Sequence, residues 1–166
     1  METILKRRSI RKFTDEEVTS EQIEGMLEAA MAAPSANNLR PAHFIVVRKR
    51  ELLGSISRIH PYAAMSSQAN LAFVVCADTG VQPDPGYYAQ DCSAASQNIL
   101  LEATDMGLGS VWCGIHPSKN RIQGFVDLLQ LPKGIVPFSL IIIGHPGETK
   151  EPHKGYDKAR VHRNGW

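Results

Sequence analysis

Apolar residues recur along the chain at two spacings, and the alternation between them divides it into helices and short strands. Thr19 or Ser20 is suited to cap a helix in which Gln22 follows Thr19 by three, with Ile23, Met26, Leu27 and Ala30 at the i, i+3, i+4, i+7 positions of one face. That helix is predicted to end near Pro34. His43 to Val47, Leu71 to Ala77, Ser110 to Ile115 and Phe138 to Ile143 are β-rich runs, each predicted to be a strand. The longest helix is predicted from about Gly86 to Met106, with Cys92, Ala95, Ile99, Ala103 and Met106 along one stripe and Gly107 placed to end it. Small residues on it (Ala89, Ser93, Ala94, Ser96) would admit a second backbone, as in a central or interface helix. A further helix is predicted over Ser118 to Leu129, closed by Leu131-Pro132-Lys133-Gly134. Beyond Gly144 the chain turns polar and irregular, and a tail of that kind is expected to be ordered only against a neighbour. With no internal repeat and no linker-like stretch, residues 1–166 read as one mixed α and β domain.

Composition narrows the chemistry. The 18 Lys and Arg nearly balance the 17 Asp and Glu. The basic run Lys6-Arg7-Arg8-Ser9-Ile10-Arg11-Lys12-Phe13 is followed at once by Asp15-Glu16-Glu17, so a broad nucleic-acid footprint is not expected. Cys76, Cys92 and Cys113 are odd in number, far apart and set in apolar runs, so no disulfide framework or CxxC motif is available and a reducing cytoplasm is expected. No signal-like segment opens the chain, and apolar stretches such as Val136 to Gly144, broken by Pro137 and Ser139, are too short to span a bilayer. A soluble protein with no membrane partner is the expectation.

The basic run is the strongest chemical signal. Guanidinium forks donate paired hydrogen bonds to phosphate oxygens and the Ser9 hydroxyl adds a neutral donor, so a phosphorylated small ligand is one reading and a solvated basic turn the other. Ala33-Pro34-Ser35-Ala36-Asn37-Asn38-Leu39-Arg40-Pro41, two prolines bracketing small polar residues, reads as a rigid loop with exposed donors or as an ordinary helix-to-strand connector. Other chemistries lack their patterns. There is no GxSxG elbow, the six His form no HxH, HExxH or i, i+4 pair, and Gly107-Leu108-Gly109-Ser110 lacks the third glycine of a dinucleotide fingerprint. Neither a metal nor a catalytic side-chain nucleophile is expected, and Cys113 at an apolar strand end reads as packing.

Taken in order, RRSIRKF, PSANNLRP followed by AHFIVV, the QNILLEA helix, GLGSVWCGI, LIIIGHPGE and the terminal KARVHRNGW resemble the FMN-dependent nitroreductase superfamily over essentially the whole chain. The resemblance implies an α+β fold with a central, mostly antiparallel sheet flanked by helices, and a homodimer that holds FMN at its interface with the C-terminal tail wrapping the partner. It assigns Arg7, Arg8 and Ser9 to the FMN phosphate and ribityl chain, and Arg11 to a cation near the pyrimidine edge of the ring. Pro34, Ser35 and Asn38 match the loop that reaches the partner's flavin. Trp112, Cys113 and Gly114 match the strand end whose backbone donors approach the ring. Arg160, with Lys158 beside it, matches basic residues that close on the phosphate. The implied activity is hydride transfer from NADH or NADPH through flavin N5 to an electron-poor acceptor such as a nitroaromatic, quinone or activated alkene. A non-reductive or dehydrogenating flavoenzyme, and a flavin sensor or store without turnover, remain open beside it. The chain departs from the family at Arg40 and Ala42, where the loop commonly carries glutamine and tryptophan, and at Ala63 to Ser67, which is brief and nearly featureless after Tyr62.

Overall fold

The computed structural model describes all of residues 1–166. Five helices, α1 (Glu2–Lys6), α2 (Ser20–Met31), α3 (Arg50–Ile59), α4 (Pro85–Asp105) and α5 (Lys119–Leu129), accompany four strands, β1 (Ala42–Val47), β2 (Leu71–Asp78), β3 (Gly109–Gly114) and β4 (Ile135–Gly144), with α1 and α2 both preceding β1 and strands and helices alternating from there. The strands form one sheet in the order β1-β2-β4-β3, every neighbouring pair antiparallel. This is the α+β, antiparallel architecture that the family resemblance implies. No helix is long and apolar enough to cross a membrane.

The two inner strands explain why their sequences are unbroken apolar runs. On β2, Leu71, Phe73, Val75 and Ala77 face a core under α2 and α4, while Ala72, Val74 and Cys76 face a second core under α3 and α5. β4 divides likewise, Ile141 and Ile143 against Leu140 and Ile142. With helices on both faces, no solvent side remains to impose alternation. The pairing of β2 with β4 slips once, between Val75 and Cys76, where Phe138 is the extra residue beside Pro137. The freed Phe138 carbonyl accepts the N–H groups of Ile115 and His116, and so shapes the exit from β3.

Local chemistry sets the helix ends. Thr19 and Gln22 form the capping box that the sequence predicts, with Gln22 N–H on Thr19 Oγ1 at 3.2 Å and Thr19 N–H on Gln22 Oε1 at 2.9 Å. That helix stops at Met31, before Pro34. Asp84 caps α4 through Gly86 N–H, with Pro85 in the first turn. At the other end Gly107 takes φ +75°, its N–H bonds Thr104 O and Leu108 N–H bonds Ala103 O, the two bonds of a Schellman cap. The cap delivers the chain straight into β3. Ser96, expected to admit a neighbouring backbone, lies wholly buried and bonds Ser139 Oγ at 2.7 Å, so the small-residue face at that point receives β4 of the same chain.

Two segments differ from the sequence reading. Arg50–Ile59 is a helix that was not singled out, although Leu52, Leu53, Ile56 and Ile59 carry helical spacing. The Ala63 to Ser67 stretch has defined structure: Ala64–Ser67 is a 3₁₀ turn, Ala63 and Ser66 are fully buried, and Ser66 Oγ donates to Leu53 O at 2.8 Å.

Candidate functional site at the open edge of β3

The basic N-terminal segment lies along the free edge of β3. Ser9 bridges Ser110 in parallel, and Ile10 N–H donates to Ser110 O at 2.9 Å. Further on, Gly147 N–H donates to Lys12 O at 2.8 Å and Thr14 N–H to His145 O at 2.9 Å. Two glycines allow this approach. A Cβ on Gly109 would meet Ile10 Cγ2 at 2.7 Å, and one on Gly144 would meet Phe13 Cδ1 at 3.0 Å. The segments RRSIRKF, GLGSVWCGI and LIIIGHPGE are therefore three sides of one construction.

Side chains fasten it. Lys150 Nζ donates to Ser9 O at 2.5 Å, Arg8 Nη1 donates to Glu151 O, and Arg11 N–H donates to Glu148 Oε1 at 2.6 Å. The Arg11 N–H, with Lys150 nearby, holds the Glu148 carboxyl below the usual carboxylate range. Arg7 closes α1 with its N–H on Thr3 O and is half-buried.

Strand parity fixes which backbone groups remain open. Ser110 O faces Ile10 and Gly114 O faces away from β4, so Ser110, Trp112 and Gly114 all direct their backbone outward. The N-terminal segment diverges at Arg11. Beyond that point the N–H groups of Trp112 and Gly114 border a cavity of about 500 Å³ whose walls include Arg11, His60, Tyr62, Met65, Trp112 and Gly114. Its size and mixed lining suit a small-molecule ligand. Cys113 points into the α3/α5 core, where its Sγ donates to Tyr62 O at 3.4 Å. Burial pushes its thiol up to about 11, against the opposing pull of Arg11 and Arg121, so it is not a thiolate near neutrality.

One chain thus gathers Arg7, Arg8, Ser9, Arg11, Trp112, Cys113 and Gly114 along one sheet edge. It does not bring the other expected residues there. Pro34, Ser35 and Asn38 lead into β1, the opposite edge strand. Their loop is a built structure: Asn37, Asn38 and Arg40 have φ of +53°, +56° and +52°, the left-handed region that costs non-glycine residues energy. Arg40 N–H on Ser35 Oγ at 2.9 Å, Arg40 Nε on Asn38 Oδ1 at 3.0 Å and Ala36 N–H on Asp91 Oδ1 at 2.8 Å hold it. Under it lies a second cavity of about 350 Å³, with Ala42 among its walls. Lys158 and Arg160 form an exposed 3₁₀ turn capped by Asp157, and Arg160 Nε pairs with Asp157 Oδ2 at 3.2 Å.

His60 and Tyr62, which the motifs did not mark, line the β3 cavity, and Arg121 reaches its border through Gly114 O and the Tyr62 ring. Arg121 is 61 positions from His60, so no local pattern joins them, whereas His60 and Tyr62 directly follow the overlooked α3. No group of three His, Cys, Asp or Glu side chains converges to hold a metal ion.

The chain shares its fold with solved structures and is similar in sequence to known proteins over its whole length. A protein of Methanothermobacter thermautotrophicus, provisionally named NADH dehydrogenase/NAD(P)H nitroreductase, is 47% identical over 166 residues, spanning 100% of this chain and 87% of that one. The structure of an FMN-dependent nitroreductase from Clostridium difficile R20291 superposes with a TM-score of 0.93 at 31% identity, covering 99% of this chain and 98% of the other. A provisionally named nitroreductase from Desulfovibrio desulfuricans, solved in complex with FMN, superposes with a TM-score of 0.84 at 28% identity over 99% of this chain and 96% of its own. The model of the Nitroreductase family matches residues 4–74 and 67–145, and the chain belongs to that family.

Proposed function

We propose that residues 1–166 act as one FMN-binding domain that takes electrons from NADH or NADPH and reduces an electron-poor small molecule, such as a nitroaromatic, quinone or activated alkene. One observation carries the reading: a cationic, hydroxyl-bearing segment, two open strand N–H groups and a cavity with apolar and aromatic walls converge on the edge of β3. These complement, in turn, a phosphate, the polar edge of a heterocycle and its apolar face. When bound, FMN supplies hydride acceptance and donation at N5.

The chain's own residues bind, orient and bias. Arg7, Arg8 and Ser9 donate to the phosphate and ribityl oxygens, each charge-assisted bond contributing about 1.5 to 3 kcal/mol. Arg11 brings positive charge to the ring's pyrimidine edge, where it favours the anionic reduced form. The N–H groups of Trp112 and Gly114 orient the ring edge. Cys113 packs beneath as a protonated thiol. The names of the relatives support the donor and cofactor: NAD(P)H appears in that of the Methanothermobacter protein and FMN in that of the Clostridium enzyme.

The site is completed by a second copy of the chain. Support comes from the sheet: Pro34, Ser35 and Asn38 precede one edge strand and the Arg7–Arg11 segment lies outside the other, four strand spacings or about 19 Å away. A loop strained in three residues and a C-terminal stretch, 151–166, exposed throughout are both suited to a partner's surface. In this arrangement Asn38 of the partner subunit approaches the ring, and Lys158 and Arg160 close on the phosphate.

Anaerobic reduction tests the function. FMN-loaded protein is expected to bleach on addition of NADH or NADPH, and a quinone should restore its colour far faster than dissolved oxygen does. Bleaching without acceptor-driven recovery would favour a sensor or store, and a protein that binds no FMN would end the flavin reading.

A further inference from the structure

Gly114, the last residue of β3, has a carbonyl with two donors. His60 is all but fully buried (1% exposed), and Tyr62 N–H donates to its Nδ1 at 3.2 Å, so the ring proton is on Nε2 and is given to Gly114 O at 2.9 Å. Burial lowers the His60 pKa, which keeps that neutral tautomer in place. Arg121 Nη1 donates to the same oxygen at 2.8 Å, and its guanidinium lies 5.4 Å from the centre of the Tyr62 ring. Two walls of the cavity, the β3 edge and the 60–62 segment, are joined through one carbonyl.

His60 alone would satisfy that oxygen. Arg121 is moreover the third residue of α5, a helix with no acidic residue in its first turn and Lys119 at its start. Cations there oppose the helix dipole, so helix stability does not account for it. What Arg121 adds is positive charge beside the cavity: together with Arg11 it acts on the Cys113 thiol from the end of β3. We propose that Arg121 is a positioning residue of the flavin site, which holds Gly114 and Tyr62 in register and adds a second positive charge that favours reduced over oxidised FMN. The proposal rests on the flavin reading above.

The test compares wild type, Arg121→Gln, Arg121→Met and Arg121→Lys, each loaded with FMN, by midpoint potential, FMN dissociation constant and melting temperature of the apoprotein. The two neutral variants are expected to weaken reduced FMN about tenfold more than oxidised FMN, a fall of about 30 mV for a two-electron couple. Their apoproteins should melt close to wild type, because His60 still partners Gly114 O. Arg121→Lys should recover the potential through its charge. An unchanged potential with FMN bound overturns the proposal and leaves the flavin reading standing, and unfolding of both neutral variants overturns it in favour of a structural role. A wild-type protein that binds no FMN overturns both.

Discussion

Ile10 packs against Gly109 so closely that a Cβ on the glycine would stand 2.7 Å from Ile10 Cγ2. This contact couples the N-terminal cations to the sheet, since Ile10 lies between Ser9 and Arg11 and bonds Ser110 through its own N–H. Gly109→Ala is therefore expected to push the segment off the β3 edge, at a cost of about 1–3 kcal/mol, as for other overpacked sites. Thermal melting and FMN titration check it: both stability and FMN affinity should fall together, and an unchanged affinity would separate the segment from the ligand.

Phosphate recognition can be isolated with riboflavin, which lacks that group. Arg8→Ala is expected to weaken FMN about tenfold to a hundredfold while leaving riboflavin nearly unchanged. Arg160→Ala should act the same way if the tail closes on the phosphate. Equal losses for both flavins would place these cations elsewhere.

The pH dependence of stability reports on His60. Its pKa is lowered in the folded protein from the ordinary 6.5 by burial, so the unfolded chain binds the proton more readily as pH falls. Its contribution is complete above about pH 6.5 and is lost below it, with a slope of at most about 1.4 kcal/mol per pH unit. His60→Gln, which keeps an amide donor for Gly114 O, should flatten the acid limb of the melting profile relative to wild type. Parallel profiles would contradict the neutral, buried tautomer.

Cys113 lies beneath the site with its thiol pushed up to about 11. Near neutral pH it should react slowly with iodoacetamide, and Cys113→Ala should retain NADPH-driven turnover. Abolished turnover with FMN still bound would make it a participant in the chemistry.

Much of this was legible in the sequence because local physics determined it. The Thr19–Gln22 box, the Gly107 cap and the apolar runs of β2 and β4 each depend on residues a few positions apart. The family resemblance joined distant motifs in the right order, and the family model bears it out. What stayed hidden was tertiary. Gly109 and Gly144 lie just outside the predicted strands, and their role shows only where Ile10 and Phe13 pack against them; Arg121 joins His60 only where both reach Gly114 O. The missed α3 is a different case, since its Leu52, Leu53, Ile56, Ile59 spacing was present among many charged neighbours.

Sharing of the site between subunits is tested by mixed dimers in which one chain carries Arg8→Ala and the other Asn38→Ala. If the loop serves the partner's flavin, both lesions fall in one site and the other is restored, so about half the wild-type flavin content should return. Sites built within single chains would leave every site damaged.

The most direct measurement is a crystal structure of the protein with FMN. The phosphate is expected among Arg7, Arg8 and Ser9, and the ring edge at the N–H groups of Trp112 and Gly114. A flavin found instead in the cavity beneath the Pro34–Arg40 loop of its own chain, with the β3 edge left bare, would contradict the account.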